Sequence, residues 1–356
     1  MKSLTERWVN IWNSIRQSKA QMPTRVAIPT DHIDEGERLR KAFKPNENYF
    51  EVRVNEMYLA YSREWFNKFD PMVFVVSEFV YGKDVETVPF VVGPIMMEKY
   101  GIKIPKEGMI FSDTKVAGLH PYKGGQLALS VILYRVQREN YGRKLLQMVE
   151  SAANVFDFGT SLTAYVKVAG VVLDGVQALL ELDGTVPIIG FRKEVSPAVE
   201  VFEPSYYALI HMPEAQLNIN GLWVREHKLV YGRSLADAKP FRDADYVLYS
   251  INQTSERSDI TTLPFYPLWE RVTEEAQVAK ANNWDSAKTN MASLCQTMSL
   301  SPDLTSRHAE KLADEYIIKM KALHERAQML AGLGEPEAKP SELDGIRAKS
   351  LSILRL

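Results

Sequence analysis

A chain of 356 residues, 46% hydrophobic and 25% charged, has the composition of a globular protein and the length of two or three domains, which excludes wholesale disorder. Its formal net charge of −2 supplies no basic field for a phosphate backbone, so nucleic acid is not an expected partner. One cysteine, Cys295, permits neither an internal disulfide nor a multi-cysteine zinc site, and the expected address is the reducing cytoplasm.

The first segment, 1–48, reads as an amphipathic helix followed by a polar linker. Leu4, Trp8, Ile11, Trp12 and Ile15 share one helical face, with Lys2, Arg7, Arg16 and Lys19 among the polar positions. Glu6, Arg7, Asn10, Asn13, Arg16 and Gln17 interrupt any apolar run, so no signal-peptide core is expected. Tryptophans opposite cations suit a membrane interface, another protein's groove, or the helix's own domain. Protein contact is expected over lipid, and Trp8, Ile11, Trp12 and Ile15 are the candidate partner-binding residues. Within the linker, Asp31-His32-Ile33-Asp34-Glu35 packs one imidazole and three carboxylates into five residues, a donor set for a divalent metal. The competing reading, adopted here, is an N-cap at Thr30-Asp31 for a helix running through Leu39 to Phe43, with no metal bound.

Residues 49–137 read as a β-sandwich-like domain. Phe50, Val52 and Val54 alternate with polar residues, as on a sheet with one wet face. Met72–Val76, Val88–Val92 and Leu127–Val136 are apolar on both faces and suit central strands, although Pro89 demotes its run to an edge or a bulge. The loop His120-Pro121-Tyr122-Lys123-Gly124-Gly125 could let backbone amides and Lys123 approach an anion; a turn into the strand at Leu127 is the expected role.

Residues 138–184 read as a helical hairpin. Tyr141, Leu145, Met148, Val149, Ala152 and Phe156 mark its first helix. In the second, between Gly159 and Gly184, Thr163, Lys167, Gly170, Asp174, Gln177 and Glu181 fall on one stripe and the rest is apolar, so the helix is expected to be largely buried. A body of about 22 residues would reach about 33 Å, the thickness of a bilayer core. Lys167, Asp174 and Glu181 would each cost about 2.5–3.5 kcal/mol in a lone span, which favours a protein core, although in an oligomer the seam could face a pore. The candidate polar seam is Lys167, Asp174, Gln177 and Glu181.

A second small β region is expected over 185–262, wrapped around the apolar helix, and a helical bundle over 263–333, with segments near 266–282, 284–298 and 303–331. The tail, 334–356, ends in Leu351, Ile353, Leu354 and Leu356. His211 reads as a core histidine bonded to backbone, His227, His308 and His324 as solvated, and Cys295 as a packed thiol. The phosphate-loop, His-Glu-x-x-His, Gly-x-Ser-x-Gly and Gly-x-Gly-x-x-Gly motifs are missing. The fold expected is thus α+β: sandwich-like sheets, a central helical hairpin, a second small β region and a C-terminal bundle. The function expected is that of a non-catalytic scaffold or adaptor without a cofactor, acting with another protein. The alternatives are a membrane-acting effector using the 159–184 helix and a metal-dependent hydrolase at Asp31 to Glu35.

Overall fold

The computed structural model describes residues 3–18, 22–39, 41–60, 63–64, 67–81, 84–93, 109–137, 162–182, 184–196 and 201–333. The first hairpin helix expected at 141–156 and the tail at 334–356 lie outside these residues. The chain is mixed α+β with antiparallel sheets and C-terminal helices, and divides into two compact units. The first is Met1–Pro264 with Pro302–His308; the second is Phe265–Ser301 with Ala309–Leu356.

Two five-stranded sheets organise the first unit. One runs in the order β1 (Thr24–Ala27), β9 (Ser205–Ile210), β13 (Tyr246–Thr254), β2 (Tyr49–Tyr58) and β6 (Met109–Pro121). The other is built on β4 (Asn67–Tyr81), which pairs on one side with β7 (Leu127–Gln137), itself paired with β8 (Thr185–Val195), and on its other side with β3 (Arg63–Glu64) and β5 (Asp84–Val92). Val73, Phe74, Val75 and Val76 of β4 are all fully buried, because the strand is covered on both faces. Phe74 meets Trp8 edge-on at 5.6 Å, whereas Phe79, on the opposite face, meets His120 of β6 at 5.1 Å. One face therefore packs on the partner sheet and the other on helices, so the strand loses its alternation for the reason buried parallel strands do. Among the described residues β5 pairs with β4 alone, so Pro89 sits on an edge strand, where its missing N–H is harmless.

Helices α1 (Leu4–Gln17) and α2 (Leu162–Leu180) form the outer layer on the β4 sheet. Val172, Leu173, Val176 and Leu179 of α2 are buried, while Asp174, Gln177 and Glu181 stand exposed. The helix is thus apolar toward the sheet and wet along its seam; the Lys167 side chain lies outside what is described. The strands expected as a second β region are distributed: β8 extends the β4 sheet, β9 and β13 sit inside the other one, and β10 (Leu222–Arg225), β11 (Lys228–Tyr231) and β12 (Lys239–Pro240) make a small sheet of their own. Leu222, Val224 and Leu229 of that small sheet close a second core with Tyr206, Ala208, Tyr246 and Leu248.

The helix expected from Thr30-Asp31 through Phe43 does not form. Thr30–His32 and Gly36–Leu39 are single 3-10 turns, and no side chain caps the first. Tertiary anchors outweigh the local capping signal: Ile33 bridges to Val224, and Phe43 is buried against Phe50, Tyr122 and Phe202. In the second unit, α3 (Tyr266–Ala276), α4 (Ala281–Ser299) and, from Ala309 onward, α5 (Ser306–Gly332) bury Trp269 stacked on Tyr316 at 4.0 Å, together with Leu294 and Met298.

Candidate functional site

The outer layer around α1 gathers most of the residues singled out from the sequence. Local chemistry starts the helix: Ser3 Oγ accepts from the Glu6 N–H at 3.1 Å, and Glu6 Oε2 accepts from the Ser3 N–H at 2.8 Å, a reciprocal capping box. Glu6 in the first turn and Arg16 in the last complement the helix dipole. Trp8 is completely buried, and Ile11 and Ile15 nearly so, while Trp12 is half-buried. Of the candidate partner-binding residues Trp8, Ile11, Trp12 and Ile15, the first two and Ile15 are seated on the chain's own sheet, the packing on its own domain that the sequence also allowed. The seating is close at β8, where a Cβ at Gly190 would lie 3.2 Å from Ile15 Cγ2.

Polar contacts fix the helix at two points. The Trp8 indole N–H donates to Glu78 Oε2 at 3.0 Å, and the Arg192 guanidinium of β8 pairs with the same oxygen. Arg192 also reaches Glu194 at 3.3 Å. On the α2 side, Arg7 pairs with Asp174 and donates to the Gly170 carbonyl at 3.1 Å. Asp174 is largely exposed, so solvent screens that pair, whereas Glu78 is buried and would be costly to leave unpaired. Glu78 was legible as a lone acid inside an apolar run, where a buried carboxylate demands a donor. Its donors come from positions 8 and 192, which no local pattern connects to it. Of the expected seam, Gln177 and Glu181 line a groove of about 740 Å3 beside Arg7, Asn10 and Ile11. A second groove, of about 570 Å3, runs past Trp12, Arg16 and Arg192 on the other flank of α1.

The histidines depart from expectation. His308 is buried, not solvated: its Nδ1 lies 2.9 Å from the Tyr49 hydroxyl, whose oxygen accepts from the Thr305 N–H at 3.1 Å. Beside it Arg257 holds Asp259 through two bonds of 2.8 Å. Burial, opposed by the Thr305 hydrogen bond, raises the Tyr49 hydroxyl pKa. These groups saturate one another and tether Pro302–His308 to the first unit. His324 is buried too, stacked on Trp284 at 4.1 Å. His227 meets the Tyr206 hydroxyl, and half-exposed His211 faces the Asp245 carboxylate at 3.5 Å instead of sitting in a core. His120 is fully enclosed between the two large sheets, stacked on Phe50 at 4.8 Å, with neither ring nitrogen hydrogen-bonded. Burial, reinforced by Arg257, pulls its pKa down from 6.5 to about 3.

Asp31 to Glu35 does not converge on one point. Asp34 accepts from the Glu35 and Glu226 N–H groups at 3.0 and 2.7 Å, while His32 stacks on Trp223 at 3.8 Å with Nδ1 2.9 Å from the Leu222 carbonyl. Among the described residues no group of three or more His, Cys, Asp or Glu is placed to hold a metal ion, and no helix is long and apolar enough to cross a membrane. Cys295 in α4 is half-buried, and that burial raises its thiol pKa.

No protein-family model, curated protein or solved structure matches this chain. Its function must therefore be argued from its own surfaces.

Proposed function

We propose that the chain is a non-catalytic protein that works by binding another protein, as a scaffold or adaptor in the cytoplasm. One observation carries this reading: α5 has a second apolar face that nothing among the described residues covers. Leu312, Tyr316 and Met320 turn inward, whereas Ile318, Met329, Leu330 and Leu333 are 60 to 79% exposed. At about 100° per residue, Ile318, Ala322, Met329 and Leu333 fall within an arc of about 60°, a straight stripe about 22 Å long. Such a stripe fits an amphipathic helix of the partner, packed with the i, i+4 spacing of helix pairs. The buried titratable groups support the non-catalytic half of the reading: Glu78, Glu56 and the Arg257–Asp259 pair are engaged in bonds that hold strands and helices together.

A photo-crosslinking residue at Leu333, introduced in the cells that make the protein, is expected to give one discrete adduct with another protein. The adduct should vanish when Ile318 and Met329 are both changed to Asp, with melting unchanged because both positions are exposed. Absence of an adduct, or an equal yield from exposed Glu256, would contradict the proposal.

A further inference from the structure

A smaller cavity, of about 330 Å3, opens where the first turns of α1 meet the β4 sheet. Val9, Val85, Leu127 and Val195 are among its apolar walls, and Thr5 and Gln126 join Glu78 and Arg192 on its polar side. We propose that it binds a primary amine carried on a short apolar stem, with the ammonium received by Glu78. Both hydrogen bonds to this carboxylate, from Trp8 and Arg192, end on Oε2, and Oε1 accepts none from a described residue. The residue is only 6% exposed, so the unused acceptor has little access to bulk water except through the cavity. Arg192 is moreover shared between two carboxylates, Glu78 and Glu194.

Those features select among ligands. An ammonium brings three donors and a positive charge, so it can meet Glu78 Oε1 and the more exposed Glu194 together. A carboxylate would face two like charges, and a neutral alcohol brings a single donor and no charge. The apolar part of the lining calls for a hydrocarbon stem. The volume is at the small end of ligand pockets, which run from about 300 to 1,000 Å3, so the stem must be short. This site lies in the first unit and does not rest on the α5 stripe.

The test is calorimetric titration of the full chain at neutral pH and low salt with three matched probes: 2-phenylethylamine, 2-phenylethanol and 3-phenylpropionate. Saturable binding is expected for the amine alone. Val85→Trp should weaken it at least about tenfold by filling the mouth; Val85 is 49% exposed, so this variant keeps its fold. Glu194→Gln should weaken binding severalfold and flatten its salt dependence, while Glu78→Gln should abolish it in protein that still melts cooperatively. N-acetyl-lysine amide, run beside the amine, separates the two sources of the same chemistry: comparable binding assigns the site to a lysine side chain, and weaker binding to a free amine. No saturable heat with the amine or the lysine amide up to about 10 mM, equal binding of the alcohol, or unchanged affinity in Val85→Trp would overturn the proposal.

Discussion

Strand β4 and helix α5 are both rich in apolar residues, yet they place them in opposite ways. In β4 successive side chains point to opposite faces, and both faces are closed, by the partner sheet on one side and by α1 and α2 on the other. In α5 the inward stripe of Leu312, Tyr316 and Met320 is closed and, among the described residues, the opposite stripe is open. Apolar residues on two faces thus mean a middle layer in the first case and, among the described residues, an uncovered stripe in the second. The difference is whether a second layer among the described residues covers the far face.

The sharpest way to break this comparison is to remove the far layer's anchor in the first unit. Trp8→Ala should cost about 3 to 5 kcal/mol in urea unfolding, because it empties a fully buried indole site over Phe74 and takes a donor from Glu78. A loss below about 1 kcal/mol would mean that α1 is not a true layer of the fold. A smaller effect should come from acid. His120 lies between the two large sheets with its pKa lowered to about 3, so its contribution is fully present above about pH 6.5 and fades as pH falls toward 3, where the folded form also takes up the proton. Between pH 6.5 and 5 that amounts to a loss of about 1.6 kcal/mol, as the unfolded chain goes from half to nearly full protonation of this site while the folded one stays neutral. Chemical denaturation across that range should show the slope in the parent and lose it in His120→Phe; an equal slope in both would place the proton uptake elsewhere.

How much of this was legible in the sequence depends on how far apart the interacting residues lie. The two-sided apolar run of β4, the edge position of Pro89 and the α2 polar seam all follow from spacing within one element. The cover of β4 by α1 does not, since Trp8 reaches Glu78 across 70 positions. His308 and His324 read as solvated because their sequence neighbours are charged. His308 is instead buried by Tyr49, 259 positions away, and His324 by Trp284. Asp31 carried a sound capping signal, but burying Ile33 and Phe43 outweighs one N-cap bond, so the segment stays irregular. The amphipathic N-terminus was clear as a pattern and silent on its partner, which is the chain's own sheet.

The contrast between a covered and an uncovered apolar face is tested directly by the same substitution made at two leucines. Leu179 of α2 is 0% exposed and Leu333, just past α5, is 79% exposed. Leu179→Lys should bury an unpaired ammonium and abolish cooperative thermal unfolding of soluble protein, whereas Leu333→Lys should melt as the parent does. Similar melting temperatures for the two variants, either both intact or both collapsed, would contradict it.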